Sequence, residues 1–190
     1  MKRLTLFLIA CFCFTTAFSQ VGVYESHEAF LDKKLKTYAE YVGTKSKNGR
    51  YAILLKDTEG GKVILPLSEQ NIWGYQKEED KIVRVHQNKT PYLIYKQGRI
   101  TLYFNYHSNV GSEEALSSSK VKDALYSEDF PPQISLGTDG EMVRLSKKNL
   151  GILLEDDQDA MAKLEKHSIF YESLVEFILT YNESVEVSTL

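Results

Sequence analysis

The stretch from Arg50 to Ser108 most restricts the fold of this chain: short β-type runs alternate there with turn residues at nearly regular spacing. Tyr51 to Lys56 leads through Glu59-Gly60-Gly61 into Lys62 to Leu67. Alternation puts Val63, Leu65 and Leu67 on one face and Ile64 and Pro66 on the other, the pattern of a half-buried strand. Asn71 to Gln76, Lys81 to His86, Pro91 to Tyr95 and Arg99 to Tyr106 follow, divided by Lys77 to Asp80, Gln87 to Thr90 and Lys96 to Gly98. In the last run Ile100, Leu102, Phe104 and Tyr106 share a face opposite Thr101, Tyr103 and Asn105. Runs this short with tight connections pair most simply with their neighbours, as an antiparallel meander.

A further hairpin is predicted over Gln133 to Leu145, where Asp139-Gly140 suits the positive φ angles of a type I′ turn. Ile134 and Leu136 should then face Met142 or Val143. Residues 109–132, rich in Ser and Glu and closing on Pro131-Pro132, read as a loop or as a short helix around Glu113 to Leu125. Ser26 suits the N-cap of a short helix through Glu28, Phe30 and Leu31, and Ser146 that of Lys147 to Leu154. Asp156 or Asp157 opens the next helix through Met161 and Leu164. The last helix is marked by Phe170, Leu174, Phe177, Ile178 and Tyr181 at the 3.6-residue period, with a frayed tail expected after about residue 183. The fold class is α+β: an antiparallel meander of about six to eight strands, a short N-terminal helix, and C-terminal helices packed on one face.

Before all of this stands a different kind of segment. Lys2 and Arg3 precede the apolar run Leu4 to Phe14, and Ala17-Phe18-Ser19 offers small side chains before Gln20. That is the build of a cleaved export signal, so residues 1–19 are read as the signal and residues 20–190 as a single α+β domain. Leu8-Ile9-Ala10-Cys11 also reads as a lipobox, with lipidation at Cys11 the alternative. A cut there would leave only about seven apolar residues, at the short end for such a region. The run is too short to span a bilayer, which takes about 20 apolar residues, and no later segment is as hydrophobic. Both cysteines, Cys11 and Cys13, lie in the signal. The exported chain therefore has neither a disulfide nor a thiolate site, and 171 residues suffice for a core without such staples. Removing the signal takes two cations and no acid, so the formal charge of −3 becomes −5. Acids interleave with the bases, which disfavours nucleic acid as a partner.

No sequence pattern singles out a reaction. His86 and His107 end two strands but lack the further ligands that a zinc site needs. Glu155-Asp156-Asp157-Gln158-Asp159 lacks the spacing of a calcium loop and fits a helix start, where carboxylates cap amides. Ser117 to Lys120 matches SxxK without its companion motifs. Asn88-Lys89-Thr90 and Asn182-Glu183-Ser184 fit the glycosylation sequon, relevant only in a eukaryote. The remaining candidates are aromatic: Trp73, Tyr75, Tyr92 and Tyr103, with Tyr95 and Tyr106, as a ligand-binding platform on the sheet, against their use as core and cross-strand pairs. No catalytic residue, metal ligand or cofactor is assigned.

Several short motifs carry a resemblance. These are Phe18-Ser19-Gln20, Gly22-Val23-Tyr24, Glu28-Ala29-Phe30-Leu31, Ile72-Trp73-Gly74-Tyr75 with Arg84, and Leu145-Ser146-Lys147-Lys148-Asn149-Leu150 with Asp156-Asp157. In these the chain resembles uncharacterised exported proteins of Bacteroidota-type bacteria. The resemblance implies an exported, single-domain protein and no particular reaction. The expectation is a non-catalytic periplasmic or extracellular domain that binds another envelope component, with a protein as partner. A small envelope hydrolase with a carboxylate or serine site assembled only in the fold is the first alternative, and a carbohydrate-binding module using an aromatic sheet face the second.

Overall fold

The computed structural model describes residues 20–87, 89–107, 110 and 115–188. The signal-like segment 1–19 and the sequon residue Asn88 lie outside the described residues. The chain is mixed α+β, and the described residues form eleven strands in two antiparallel sheets and five helices.

The larger sheet is built on the expected meander from its third run onward, whereas the first two runs, Tyr51 to Lys56 and Lys62 to Leu67, pair with each other in a separate sheet. Strands β6 (Gly74–Glu78), β7 (Lys81–His86), β8 (Thr90–Lys96), β9 (Ile100–Asn105), β10 (Gln133–Leu136) and β11 (Val143–Arg144) pair in succession. Beyond β6 the sheet is extended by β1 (Val21–Tyr24) and then β2 (Lys36–Tyr38). The connection from β2 to β6 forms a second sheet of β3 (Glu40–Lys47), β4 (Arg50–Lys56) and β5 (Lys62–Pro66). Its first turn carries positive φ at Asn48 (53°) and Gly49 (71°), the requirement of a tight hairpin. The β4–β5 turn is closed by Asp57, whose carboxylate accepts from Gly61 N at 2.7 Å and Glu59 N at 3.0 Å.

The two faces of the larger sheet are covered differently. On one face the second sheet packs Ile53, Leu55 and Leu67 against Val21, Val23, Tyr75, Val83, Val85 and Leu93. Further along the same face, Tyr95, Ile100, Leu102, Phe104 and Ile134 meet α2 (Ser119–Leu125), α3 (Lys147–Leu153), α4 (Gln158–Leu164) and α5 (Tyr171–Ser188). On the opposite face Tyr24, Tyr92, Ile94 and Tyr103 meet Phe30 of α1 (His27–Leu31), Met142 and Phe130. The C-terminal helices thus share one face, and α1 lies on the other.

Helix starts follow their caps. Ser26 Oγ accepts from Ala29 N at 3.1 Å, Ser146 Oγ from Asn149 N at 3.1 Å, and Asp157 Oδ1 from Ala160 N at 2.9 Å. The last helix is pinned by a buried polar residue. Asn182 accepts from Ile100 N at 3.0 Å and donates to Ile100 O at 2.8 Å, satisfying both backbone groups of a fully buried strand residue.

Four local expectations differ from the structure. The left-handed residue after β10 is Gly137 (φ 62°), and the Asp139-Gly140 pair does not form the turn by positive φ. Ile134 does pair with Val143, but Leu136 pairs with Ile100 and is 45% exposed. Phe170 precedes α5 and is exposed instead of extending its buried stripe. Helix α5 itself continues to Ser188, past residue 183, after which a frayed tail was expected.

Candidate functional site

The aromatic residues singled out by the sequence are distributed over three environments. Tyr75 is fully buried between the sheets, stacked 5.9 Å from Tyr41. Its hydroxyl meets Thr44 Oγ1 at 3.1 Å, and burial drives its pKa well above the ordinary tyrosine value. Tyr103 is fully buried on the other face, and Tyr92 is buried there beside His86 and Phe130. Trp73 is half-buried, stacked 4.4 Å from Phe30 and tilted against His27 at 5.4 Å. These four residues do not make one exposed platform. Their rings contribute to packing between layers, because strand alternation sends Tyr75 and Tyr103 to opposite faces, each covered by another element.

Arg84 organises the centre of the α1 face. It is 9% exposed and donates from Nη1 to Tyr103 Oη at 2.9 Å, and from Nη2 to the carbonyls of Asp139 at 3.1 Å and Gly140 at 2.9 Å. Ser135 extends this chain: its hydroxyl donates to Gly137 O at 2.6 Å and accepts from Tyr103 at 2.9 Å. The guanidinium also lies 5.9 Å from the Trp73 ring centroid and 5.6 Å from that of Tyr103. Among the described residues no carboxylate pairs with it. The fork satisfies carbonyls of the 137–140 turn and fastens that turn to the sheet. Gly74 opposite Arg84 is obligatory, since a Cβ would stand 2.6 Å from Val83 O.

Beside this cluster the α1 face opens into a recess of about 430 Å³, bounded by Gln20, Tyr24, Phe30, Leu31, Lys33, Gln76, Glu79, Ile82 and Gln97. Gln76 is buried at its floor, its carbonyl accepting from Tyr24 Oη at 2.8 Å. Gln20 and Gln97 are exposed at the mouth, as are the charged side chains of Lys33 and Glu79. Tyr24 and Phe30 form an aromatic wall, their rings at 86° and 5.4 Å apart. The C-terminus of α1 places Lys33 there through a left-handed residue (φ 55°). Carboxamides both donate and accept, so the recess suits an uncharged polar group held against an aromatic surface.

The histidines form no common site. His27 Nε2 meets Thr138 Oγ1 at 2.8 Å, and His167 Nδ1 meets Ser173 Oγ at 3.1 Å. Ser173 Oγ also accepts from Ser168 N at 3.1 Å, closing the loop before α5. Among the described residues no carboxylate hydrogen-bonds either imidazole, so neither pair has the orienting third member of a nucleophilic triad. Burial first, then the charge of Arg84, lowers the pKa of His86, and burial followed by Lys77 lowers that of His107. No group of three His, Cys, Asp or Glu residues is placed to hold a metal among the described residues. Of the acidic run, Asp157 caps α4 while Asp156 accepts from Arg99 Nη2 at 2.9 Å. No helix among the described residues is long and apolar enough to cross a membrane.

No protein-family model, no curated protein and no solved structure matches the chain. The recess was not foreseen from sequence: Gln20, Gln76 and Gln97 are far apart along the chain. The one local signal that bears on it is Ser26, whose cap fixes where α1 starts.

Proposed function

We propose that the protein is a non-catalytic exported domain, periplasmic or extracellular, that binds another envelope component, a protein, in the recess beside α1. The observation that carries this reading is the lining of the recess: carboxamides of Gln20, Gln76 and Gln97 against the rings of Tyr24 and Phe30. A peptide backbone alternates N–H donors with C=O acceptors, and carboxamides answer both. The volume, about 430 Å³, suits a few residues of an extended segment. The signal-like residues 1–19 and the resemblance to exported proteins of Bacteroidota-type bacteria support export. The histidines support binding over hydrolysis, since each hydroxyl-paired imidazole lacks a carboxylate behind it among the described residues.

The test is capture by the chain from residue 20 onward from cross-linked envelope fractions, compared with the variant Gln97→Phe. Gln97 is exposed, so the variant keeps its fold while filling the mouth of the recess. One protein captured by the parent and lost in the variant supports the reading. Equal capture by both places the partner elsewhere. Trp73, the single tryptophan, stacks on Phe30 and reports occupancy by fluorescence. A response to glycans and none to the captured protein would favour the carbohydrate-binding alternative.

A further inference from the structure

The second sheet has an outward face whose chemistry differs from that of the rest of the chain. Tyr51, Ile53, Leu55, Val63 and Leu65 turn inward to the core. The period of two therefore sends Ala52, Leu54, Ile64 and Pro66 to the outward side, where Leu54, in register with both Gly43 and Ile64, is itself buried and Ile64 is the exposed member. A bulge between Tyr41 and Gly43 adds Val42 to this side, since alternation from Tyr41 turns it outward. Val42 and Ile64 are 48% and 54% exposed.

The same register surrounds this apolar strip with cations. Lys45 lies opposite Ala52, Lys47 opposite Arg50, and Lys56 opposite Lys62. Glu40 is the one acid on these three strands and is bound to Lys56 at 2.5 Å. From Gly43 to Lys56 the chain has four cations and no acid, although the whole chain has a formal charge of −3. Asp57 and Glu59 occupy the opposite end, in the β4–β5 turn. Positive charge is therefore concentrated at the β3–β4 tip, on Lys45, Lys47 and Arg50, none of which forms an ion pair among the described residues.

We infer that this face docks the protein on an anionic phospholipid surface. The tip cations meet headgroup phosphates, and Val42 and Ile64 enter the headgroup layer. Charge complementarity calls for an anionic partner, and the kind of cation separates a bilayer from a protein. Four of the five cations are lysines. Lysine is depleted at protein interfaces, where arginine's planar fork is preferred for carboxylates. A lysine beside an apolar strip can bury its stem and extend its ammonium to a phosphate. The apolar residues also lie on a sheet surface instead of lining a groove for side chains.

The experiment is sedimentation of the chain from residue 20 onward with vesicles of phosphatidylglycerol and phosphatidylcholine, and with phosphatidylcholine alone. Binding is expected only to the anionic vesicles and should weaken as salt rises. Each cation near such a surface contributes roughly a five-fold gain in partitioning, so Lys45→Gln/Lys47→Gln/Arg50→Gln should lower it roughly 100-fold. Ile64→Ser should weaken binding while leaving its salt dependence intact, which provides a second arm independent of charge. The control Lys148→Gln/Lys163→Gln/Lys166→Gln, which removes the same number of charges on the helical side, should bind as the parent does. No binding to anionic vesicles, equal binding to neutral ones, or equal loss in the control would overturn the inference. Retention on immobilised polyglutamate without vesicle binding would assign the face to an acidic protein instead. Gln97→Phe should leave vesicle binding unchanged, so failure of the recess reading and failure of this one are distinguishable.

Discussion

Replacing Arg84 by Ala tests whether a buried guanidinium with neutral acceptors fastens the 137–140 turn. The substitution removes the donors to Tyr103 Oη and to the carbonyls of Asp139 and Gly140. A hydrogen bond to a charged group contributes about 1.5–3 kcal/mol net, and a buried acceptor left without a donor costs about 1–3 kcal/mol. Asp139 is exposed, so its carbonyl can regain water when the turn loosens, which limits the sum. The expected loss is about 3 kcal/mol, a large share of the roughly 5–15 kcal/mol that holds a domain together. With a urea slope of about 2 kcal/mol/M, the midpoint should fall by about 1.5 M. Arg84→Lys keeps the charge and most of the stem but not the fork, and should lie between parent and alanine variant. The control is Arg99→Ala, which removes a bridge to Asp156, an acid 70% exposed in its side chain, and a longer one of 3.6 Å to Asp157. Surface pairs of this kind contribute under about 1 kcal/mol. Urea unfolding followed through Trp73, whose ring lies 5.9 Å from the guanidinium, reports both variants. Equal midpoints for Arg84→Ala and Arg99→Ala would refute the assignment of Arg84 as the fastening of that turn.

Asn182→Ala should cost about 2–4 kcal/mol, because it leaves the N–H and C=O of fully buried Ile100 without partners; thermal unfolding measures this, and an unchanged midpoint would contradict it. Asp157→Ala should cost about 1 kcal/mol through loss of the α4 cap, and Asp157→Asn should recover most of it in the same assay. Stability should fall as pH drops below 6.5. Burial lowers the pKa of His86 and His107 from that value, so the unfolded chain takes up protons first and gains stability relative to the fold. The contribution is complete above the unfolded value and is lost progressively below it, through the window down to each lowered pKa. Urea midpoints between pH 8 and pH 5 should therefore slope less in His86→Gln/His107→Gln than in the parent, and identical slopes would exclude these residues as the cause.

The meander was legible because its signals are local. Alternation in β5 and β9 states which side chains share a face, and the turn residues between runs leave little freedom in pairing order. The caps at Ser26, Ser146 and Asp157 were legible for the same reason, each being satisfied within its own first helical turn. Strands β1 to β3 were not anticipated. β1 is buried on both faces and shows no alternation, while β2 has only three residues. For β3 a signal did exist: Asn48-Gly49, flanked by runs that pair residue for residue as far back as Gly43, is a strong hairpin mark.

Sequence alone thus determined the strands from β4 to β10 as antiparallel segments and, where residues alternate, which side chains share a face, since these depend on neighbours within a few positions. Only tertiary structure decided which surfaces stay open. The three glutamines of the recess come from the position before β1, from β6 and from the β8–β9 turn, and only sheet order brings them together. The aromatic residues show the same limit: Tyr75 and Tyr103 read alike along the chain, and only the covering layers make both of them core. The cationic face of the second sheet depends likewise on which side of β4 meets the larger sheet. Periodicity defines two faces of a strand, and burial of the more apolar one selects which of them the solvent meets.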